Sequence, residues 1–386
     1  MNTTIAEVVA YPLNIPVEFS LAGATAKTGL SCVVVQVTTA DGIVGHGFTA
    51  ITEEEIVAEA INSVVAPNII GLNALDRERI SEELYWLLTP RGQTGYASHA
   101  VSCIDLALWD ILGKVTRQPC WQLLGGARRE VPLYVTFGFG AFDRDQLGDV
   151  ARHLRADGIS RFKMVVGHHG LHKRIRGADL RSILEEDIQR VRVAREAIGD
   201  ESDLFIDANC SLDPSSARWL AERLTEYNIT FFEEPVRDND PAQMAELRRA
   251  TGVRVAAGQN EGQLWRFQSL LDAGAVDVIQ PNVVICGGLT AGSKVAALAE
   301  ARNVTLANGG AFPYHNMHLH AGFAHGGLVE WHLVAVEMSK PIFKGLPEAK
   351  GQTLPLPDKP GLGFELDLDA VKELAKRPLS AGTGKA

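Results

Sequence analysis

The chain has little of what would tie it to a disulfide framework, a polyanion or a bilayer. Its five cysteines, Cys32, Cys103, Cys120, Cys210 and Cys286, are scattered and form no CxxC pair. That argues against both a disulfide scaffold and a zinc knuckle. There is no Lys/Arg block, and the formal net charge is −10, so neither nucleic acid nor an anionic membrane surface is expected as a partner. No stretch approaches the roughly eighteen consecutive apolar residues of a membrane-spanning helix. The opening MNTTIAEVVAYPLNIPV lacks a basic region followed by a long apolar one, so no secretory signal is expected and the cytoplasm is the expected compartment. None of this disfavours a small anionic substrate, because a bound metal ion can reverse the local sign.

What is present is an ordinary globular composition. The 386 residues are 46% hydrophobic and 22% charged, enough for two or three domains or for one barrel with an attachment. From about residue 131 onward, eight short apolar runs alternate with amphipathic helical patterns. The runs are 131–140, 160–167, 203–209, 229–235, 253–260, 276–282, 304–310 and 328–332. Eight βα-type units in a row favour a parallel barrel over a doubly wound sheet. Before them, 4–13, 31–38 and 43–49 read as antiparallel strands with a TADG turn, followed by helical patterns in 52–64, 76–88 and 97–116. The expected fold is therefore α/β: an N-terminal α+β cap over 1–127 and a barrel over 128–332. A turn-rich segment, 333–386, is expected to fold back onto the cap, with the terminal SAGTGKA frayed.

In a parallel barrel the chemistry gathers at the C-terminal strand ends. Three successive ends are polar at matching places: Asp207, Glu233 and Gln259, each 26 residues from the next. Two carboxylates and an amide oxygen are hard donors that suit Mg2+, with water or substrate completing the octahedron. Singly, each such residue is as well explained as a helix cap or the partner of a base; the equal spacing is what favours a metal site. Asn209, two residues past Asp207, lies on the same strand face and is a candidate substrate contact.

The motifs as a set resemble those of the enolase superfamily, in its mandelate racemase/muconate lactonizing enzyme group. AVSCIDLALWDILGKVTRQPCWQLLGG (100–126) is similar to that family's cap-to-barrel signature. FKMVVG, IDAN, FFEEP, AAGQNEG and QPNVVICGG follow its strand motifs in order. The resemblance spans nearly the whole chain and implies a modified TIM barrel, (β/α)7β, with a capping domain. It also implies an essential Mg2+ that stabilises the enediolate formed when a base removes the proton α to a carboxylate, and assembly as a dimer or octamer. Asp207 and Glu233 match the first two metal ligands. Gln259 holds the third place, where Glu is usual, with Asn260 or Glu261 as substitutes if the strand bulges. Glu330 matches an acid that in some members hydrogen-bonds the enediolate, the alternative being a partner for an arginine.

Departures from the pattern bear on the base. Members with two bases carry KxK on the second barrel strand; here it reads Lys163-Met164-Val165, leaving Lys163 as the candidate base, or else a buried paired lysine. On the opposite face, the place of an Asp that orients a catalytic His is Asn282, a candidate substrate contact, and the His position falls in Asn308-Gly309-Gly310. His315 is the nearest histidine and is a candidate acid. The extended segment 167–187 offers His168 and His169 as substrate contacts or a solvated loop. Residues 18–29 resemble the family's specificity loop, where Lys27 is placed to meet an anionic substrate. GFGAFD (138–143) and CGGLT (286–290) look like nucleotide and phosphate loops but lack the full spacing. The resulting expectation is Mg2+-dependent dehydration of a sugar acid. A cycloisomerase or epimerase is the alternative within the superfamily, and a ligand-binding barrel without turnover is the alternative outside catalysis.

Overall fold

The computed structural model describes residues 1–375; the terminal SAGTGKA expected to fray lies outside the described residues. The chain opens with an antiparallel sheet of β1 (Ile5–Leu21), β2 (Ala24–Thr39) and β3 (Val44–Ala50) in that order. Helix Tyr96–Thr116 then packs against it, and helix Arg77–Gly92 packs on that helix. The barrel strands follow as β4 (Glu130–Gly138), β5 (Arg161–Val165), β6 (Asp203–Asp207), β7 (Ile229–Glu233), β8 (Val255–Ala257), β9 (Val278–Ile279), β10 (Thr305–Leu306) and β11 (Val329–His332). Their spatial order is β10-β9-β8-β7-β6-β5-β4-β11, every pairing parallel. The two ends of this row meet where the Asn308 amide donates to the Leu328 carbonyl at 2.8 Å. This is a (β/α)7β barrel: the last strand is followed by the short helix Leu333–Ser339, and the chain then returns to the cap, where helix Leu368–Ala375 lies against β1.

Strand alternation sorts side chains between two cores. Inside the barrel a small apolar floor comprises Tyr134, Phe205, Phe231, Ala256, Val278 and Ala307. The opposite strand faces, with Phe162, Leu204, Ile206 and Phe232, join the larger core beneath the surrounding helices. Two positions further along, the inward side chains of β6 and β7 are Asp207 and Glu233, and Lys163 of β5, level with Phe205, reaches them, so the charged layer rests directly on the apolar floor.

The segment 18–29 is an ordered hairpin rather than an open loop. Ala22 and Gly23 both have positive φ, 49° and 81°, the two-residue geometry that continues the strand twist. Phe19 is buried against Phe139 and Phe142, with ring centroids 6.4 and 6.3 Å away. Alternation therefore sends Glu18 to the other face, where it pairs at 3.1 Å with Lys27, its cross-strand partner. Both are exposed, so Lys27 is taken up by an ion pair on the face opposite Phe19.

Helix Tyr96–Thr116 fastens the cap to the barrel. Asp105 accepts the Thr290 amide at 3.0 Å, Ser102 Oγ accepts the Gly287 amide at 2.9 Å, and Trp109 Nε1 donates to Thr290 Oγ1 at 3.0 Å. A Cβ on Gly288 would sit 2.0 Å from the Asp105 carboxylate, and its φ is +82°. The paired glycines of CGGLT thus make room for the cap. The description of 286–290 as a phosphate loop is not needed.

Candidate active site

The barrel mouth is organised around one buried ammonium. Lys163, 1% exposed, places Nζ 2.9 Å from Glu233 Oε1, 2.9 Å from Glu330 Oε1 and 3.1 Å from Asp207 Oδ2. The Tyr134 ring lies below, 5.6 Å from Nζ to its centroid. Glu330 is held further by Thr136 Oγ1 and by the Ala311 amide at 2.6 Å. Burial alone would pull the Lys163 ammonium toward neutrality, but the surrounding carboxylates more than offset it and hold it well above the usual range. Glu233 is pushed well up, by burial first and by Asp207 next. Glu330 is also disfavoured as an anion by burial, yet Lys163 brings it below its usual value.

Three carboxylates around one lysine leave an excess of negative charge in a water-poor layer, the condition that attracts a further cation. Among the described residues, Glu233 Oε2 is buried without a direct hydrogen bond, although the Gln280 side chain favours the Glu233 anion. Asp207 lies in register with Glu233 on the neighbouring strand. These donors fit Mg2+. Gln259 arrives by a different route than strand phase. Ala256 is the residue opposite Glu233, and Gly258, at φ +126°, turns the chain so that Gln259 swings inward. Its amide nitrogen donates to Asp207 Oδ2 at 3.3 Å and to Glu234 Oε2 at 3.2 Å. Service as an oxygen ligand therefore requires the amide to turn and release Asp207. The two substitutes are committed elsewhere: Asn260 donates to Glu234, and Glu261 forms a two-pronged pair with Arg266 at 2.7 and 3.0 Å.

Beside the layer, a cavity of about 750 Å³ is lined by Phe142, Val165, His168, Lys173, Asp187 and Arg190. Val165 shares the inward face with Lys163 and opens onto this space. His168 and His169 lie at its edge, their ring centroids 3.8 Å apart. Burial first, then His169, takes His168 down to about 4 in spite of the attraction of Asp207, so at neutral pH it is an uncharged imidazole. Asn209 donates its backbone amide to Asp207 Oδ1 at 2.8 Å and keeps its side chain exposed at the rim.

Two expected site residues are occupied elsewhere. His315 belongs to helix Pro313–Gly322 and stacks on Phe48 of β3 at 5.0 Å, with Phe343 and Phe364 on its other sides. It is an element of the interface between cap and barrel, and burial holds it neutral. Asn282 donates to the Gly310 carbonyl at 2.8 Å and accepts Asn316 Nδ2 at 2.9 Å, tying two loops together. One residue near the charged layer escaped the motif comparison. His332, two positions after Glu330 on β11, interacts electrostatically with Glu330, Lys163 and Asp207. The period-two spacing from Glu330 was the available signal.

Residues 146–370 match the family described as enolase C-terminal domain-like, and residues 1–125 match the mandelate racemase / muconate lactonizing enzyme N-terminal domain. The chain belongs to the mandelate racemase/muconate lactonizing enzyme family. It is 30% identical over 375 residues to 3,6-anhydro-alpha-L-galactonate cycloisomerase of Streptomyces coelicolor, covering 95% of this chain and 97% of that protein. It is 32% identical over 346 residues to L-rhamnonate dehydratase of Saccharopolyspora erythraea, covering 88% and 84% respectively. A crystal structure of a racemase from Streptomyces coelicolor A3(2) with bound magnesium superposes with a TM-score of 0.84 at 29% identity, covering 96% of this chain and 99% of that one. The named relatives are enzymes, and magnesium is the ion of this site class.

The charge arrangement yields two expectations. Lys163→Met removes the one ammonium that, among the described residues, contacts the three carboxylates; by thermal unfolding in metal-free buffer it is expected to cost about 3 kcal/mol. Added MgCl2 should raise its melting temperature more than that of the parent chain, and equal increments would contradict competition between lysine and metal. Gln259→Glu places a carboxylate against Asp207 and Glu234. Stability without Mg2+ should fall and Mg2+ affinity by calorimetry should rise about tenfold, as one more ligand charge of ~1.4 kcal/mol would give; unchanged affinity would remove position 259 from the ligand set.

Proposed function

We propose that this chain is a Mg2+-dependent enzyme that removes the proton α to the carboxylate of a sugar acid and expels the oxygen on the β-carbon. The observation that carries this reading is the Lys163–Asp207–Glu233–Glu330 layer at the open end of the barrel. Asp207 and Glu233, with Gln259 after its amide turns, would hold the ion. When bound, Mg2+ supplies positive charge to a substrate carboxylate and so acidifies the adjacent C–H.

The protein's own part is positioning and proton transfer. Lys163 stands on the strand beside Asp207, so a carboxylate held at the metal layer brings its α-carbon within reach of Nζ. The lysine accepts that proton as the neutral amine, a state accessible once another cation balances the three carboxylates. Glu330, anchored by Thr136 and Ala311, keeps Nζ from swinging away. His168, His169 and Asn209 at the rim are proposed to contact the hydroxyl end of the substrate. Lys27, paired with Glu18 on the outer face of its hairpin, is not among them.

Dehydration and cycloisomerisation are one elimination with different leaving groups. In a linear sugar acid the β-oxygen is a hydroxyl, which departs as water with the proton that Lys163 took; in a 3,6-anhydro acid it is the ring ether, which takes that proton and stays attached through C6 as the ring opens. Both leave an enol that becomes a 2-keto-3-deoxy acid. One base suffices for either, which favours them over racemisation, where bases on both faces are needed; Asn282 and His315 are otherwise engaged on the far side. We place the enzyme in the cytoplasm as a homo-oligomer. This is in keeping with the absence, among the described residues, of a helix long and apolar enough to cross a membrane, and with Trp86, Tyr96 and Trp265 exposed at 63, 46 and 43%.

Incubation with L-rhamnonate, 3,6-anhydro-L-galactonate and a wider set of sugar acids should yield a 2-keto-3-deoxy product from at least one, only with Mg2+ present. Binding of these acids without any product would instead favour a ligand-binding barrel.

A further inference from the structure

His332 ends β11 at the barrel mouth, on the same inward face as Glu330 and opposite Thr136 of β4. It is half-buried, with its ring 5.0 Å from that of Phe139. Phe139 in turn packs on Phe19 of the cap hairpin and on Phe142 of the cavity wall. The imidazole thus stands where charged layer, cavity wall and cap come together.

Its hydrogen bonding restricts its protonation. The backbone amide of Ala335 donates to Nδ1 at 3.3 Å, the imidazole capping the helix that follows. A backbone N–H only donates, so Nδ1 is the acceptor and carries no proton. The neutral ring must then hold its proton on Nε2. Protonating Nδ1 would set two N–H groups against each other. Burial also lowers the affinity of His332 for a second proton, and the attraction of Glu330 does not reverse this.

We propose that His332 is a substrate-binding residue, fixed as the neutral Nε2–H tautomer and donating to a hydroxyl or ether oxygen of a sugar acid seated over Lys163. The neutral donor and the Glu330 carboxylate just below it favour an uncharged oxygen over a second carboxylate. A neutral imidazole that donated its proton outright would become an anion beside three carboxylates. His332 therefore orients and polarises; it is not a proton source. This inference rests on the sugar-acid reading above, and its test separates the two.

Protein labelled with 15N at the histidine rings should show, for the signal missing in His332→Gln, a protonated Nε2 and an unprotonated Nδ1 from pH 6 to 8. A protonated Nδ1 anywhere in that range would overturn the assignment of His332 whatever the enzyme acts on. With L-rhamnonate or 3,6-anhydro-L-galactonate, whichever is turned over, His332→Phe should raise KM about tenfold, the loss expected of one hydrogen bond worth ~1.4 kcal/mol. His332→Gln, which keeps a donor at similar reach, should stay within about threefold of the parent. Equal KM values for the Phe variant and the parent would overturn the contact. Failure of every sugar acid to react counts against the proposed function, whereas the Nδ1–H tautomer counts against His332 alone.

Discussion

A lysine ammonium enclosed by three carboxylates is the constraint around which the rest of the barrel is arranged. Four ionisable groups in one buried layer are costly to charge unless each is met by an opposite charge or a hydrogen bond. The lysine contacts all three acids, Thr136 and Ala311 complete Glu330, and Asn209 and Gln259 serve Asp207. Of these acids, only Glu233 keeps an oxygen without a direct hydrogen bond among the described residues. The apolar floor of Phe205, Phe231 and Tyr134 prevents the layer from relaxing downward into water. What remains is a site short of positive charge and open on one side.

The cap determines what reaches that side. Its long helix is locked to the barrel loop 282–290 through Asp105, Ser102 and Trp109, and Phe48 stacks on His315. These contacts make the cap an immobile lintel at one edge. At the other edge the 18–29 hairpin reaches the barrel through Phe19 alone among its buried aromatic residues, over Phe139 and Phe142. Under the proposed function, substrate shape would be governed by an aromatic wall and by the histidines of the 167–187 segment, more than by a charged lid. A neutral His168 and a neutral His332 suit the hydroxyls of a sugar better than a second acid group.

The fold was legible in the sequence because its signals are periodic. Eight apolar runs, helical patterns between them and polar strand ends follow directly from alternation and from barrel geometry. Asp207 and Glu233 were readable for the same reason, being the last residues of adjacent strands. Gln259 was found by its spacing, although the structure delivers it through the Gly258 turn. The misreadings come where chemistry depends on contacts far apart in sequence. His315 looked available because its neighbours in the chain are polar or small, whereas its neighbours in space are Phe48, Phe343 and Phe364. Asn282 looked like a vacated catalytic position, but it bonds to Gly310 and Asn316. Lys27 was assigned to the mouth by position in a loop, and a two-residue turn put it on the opposite face. His332 was passed over although it lies in phase with Glu330, because the motif comparison stops at the acid.

The account turns on Lys163 being the group that exchanges the α-proton, not merely the counter-ion of the three acids. The most direct measurement is deuterium incorporation at C2 of the sugar acid recovered unreacted from D2O with saturating Mg2+, comparing the parent chain with Lys163→Ala. Exchange in the parent and none in the variant, with Mg2+ affinity retained or increased, is the predicted result. Exchange at an undiminished rate in Lys163→Ala would contradict it and move the base to another residue.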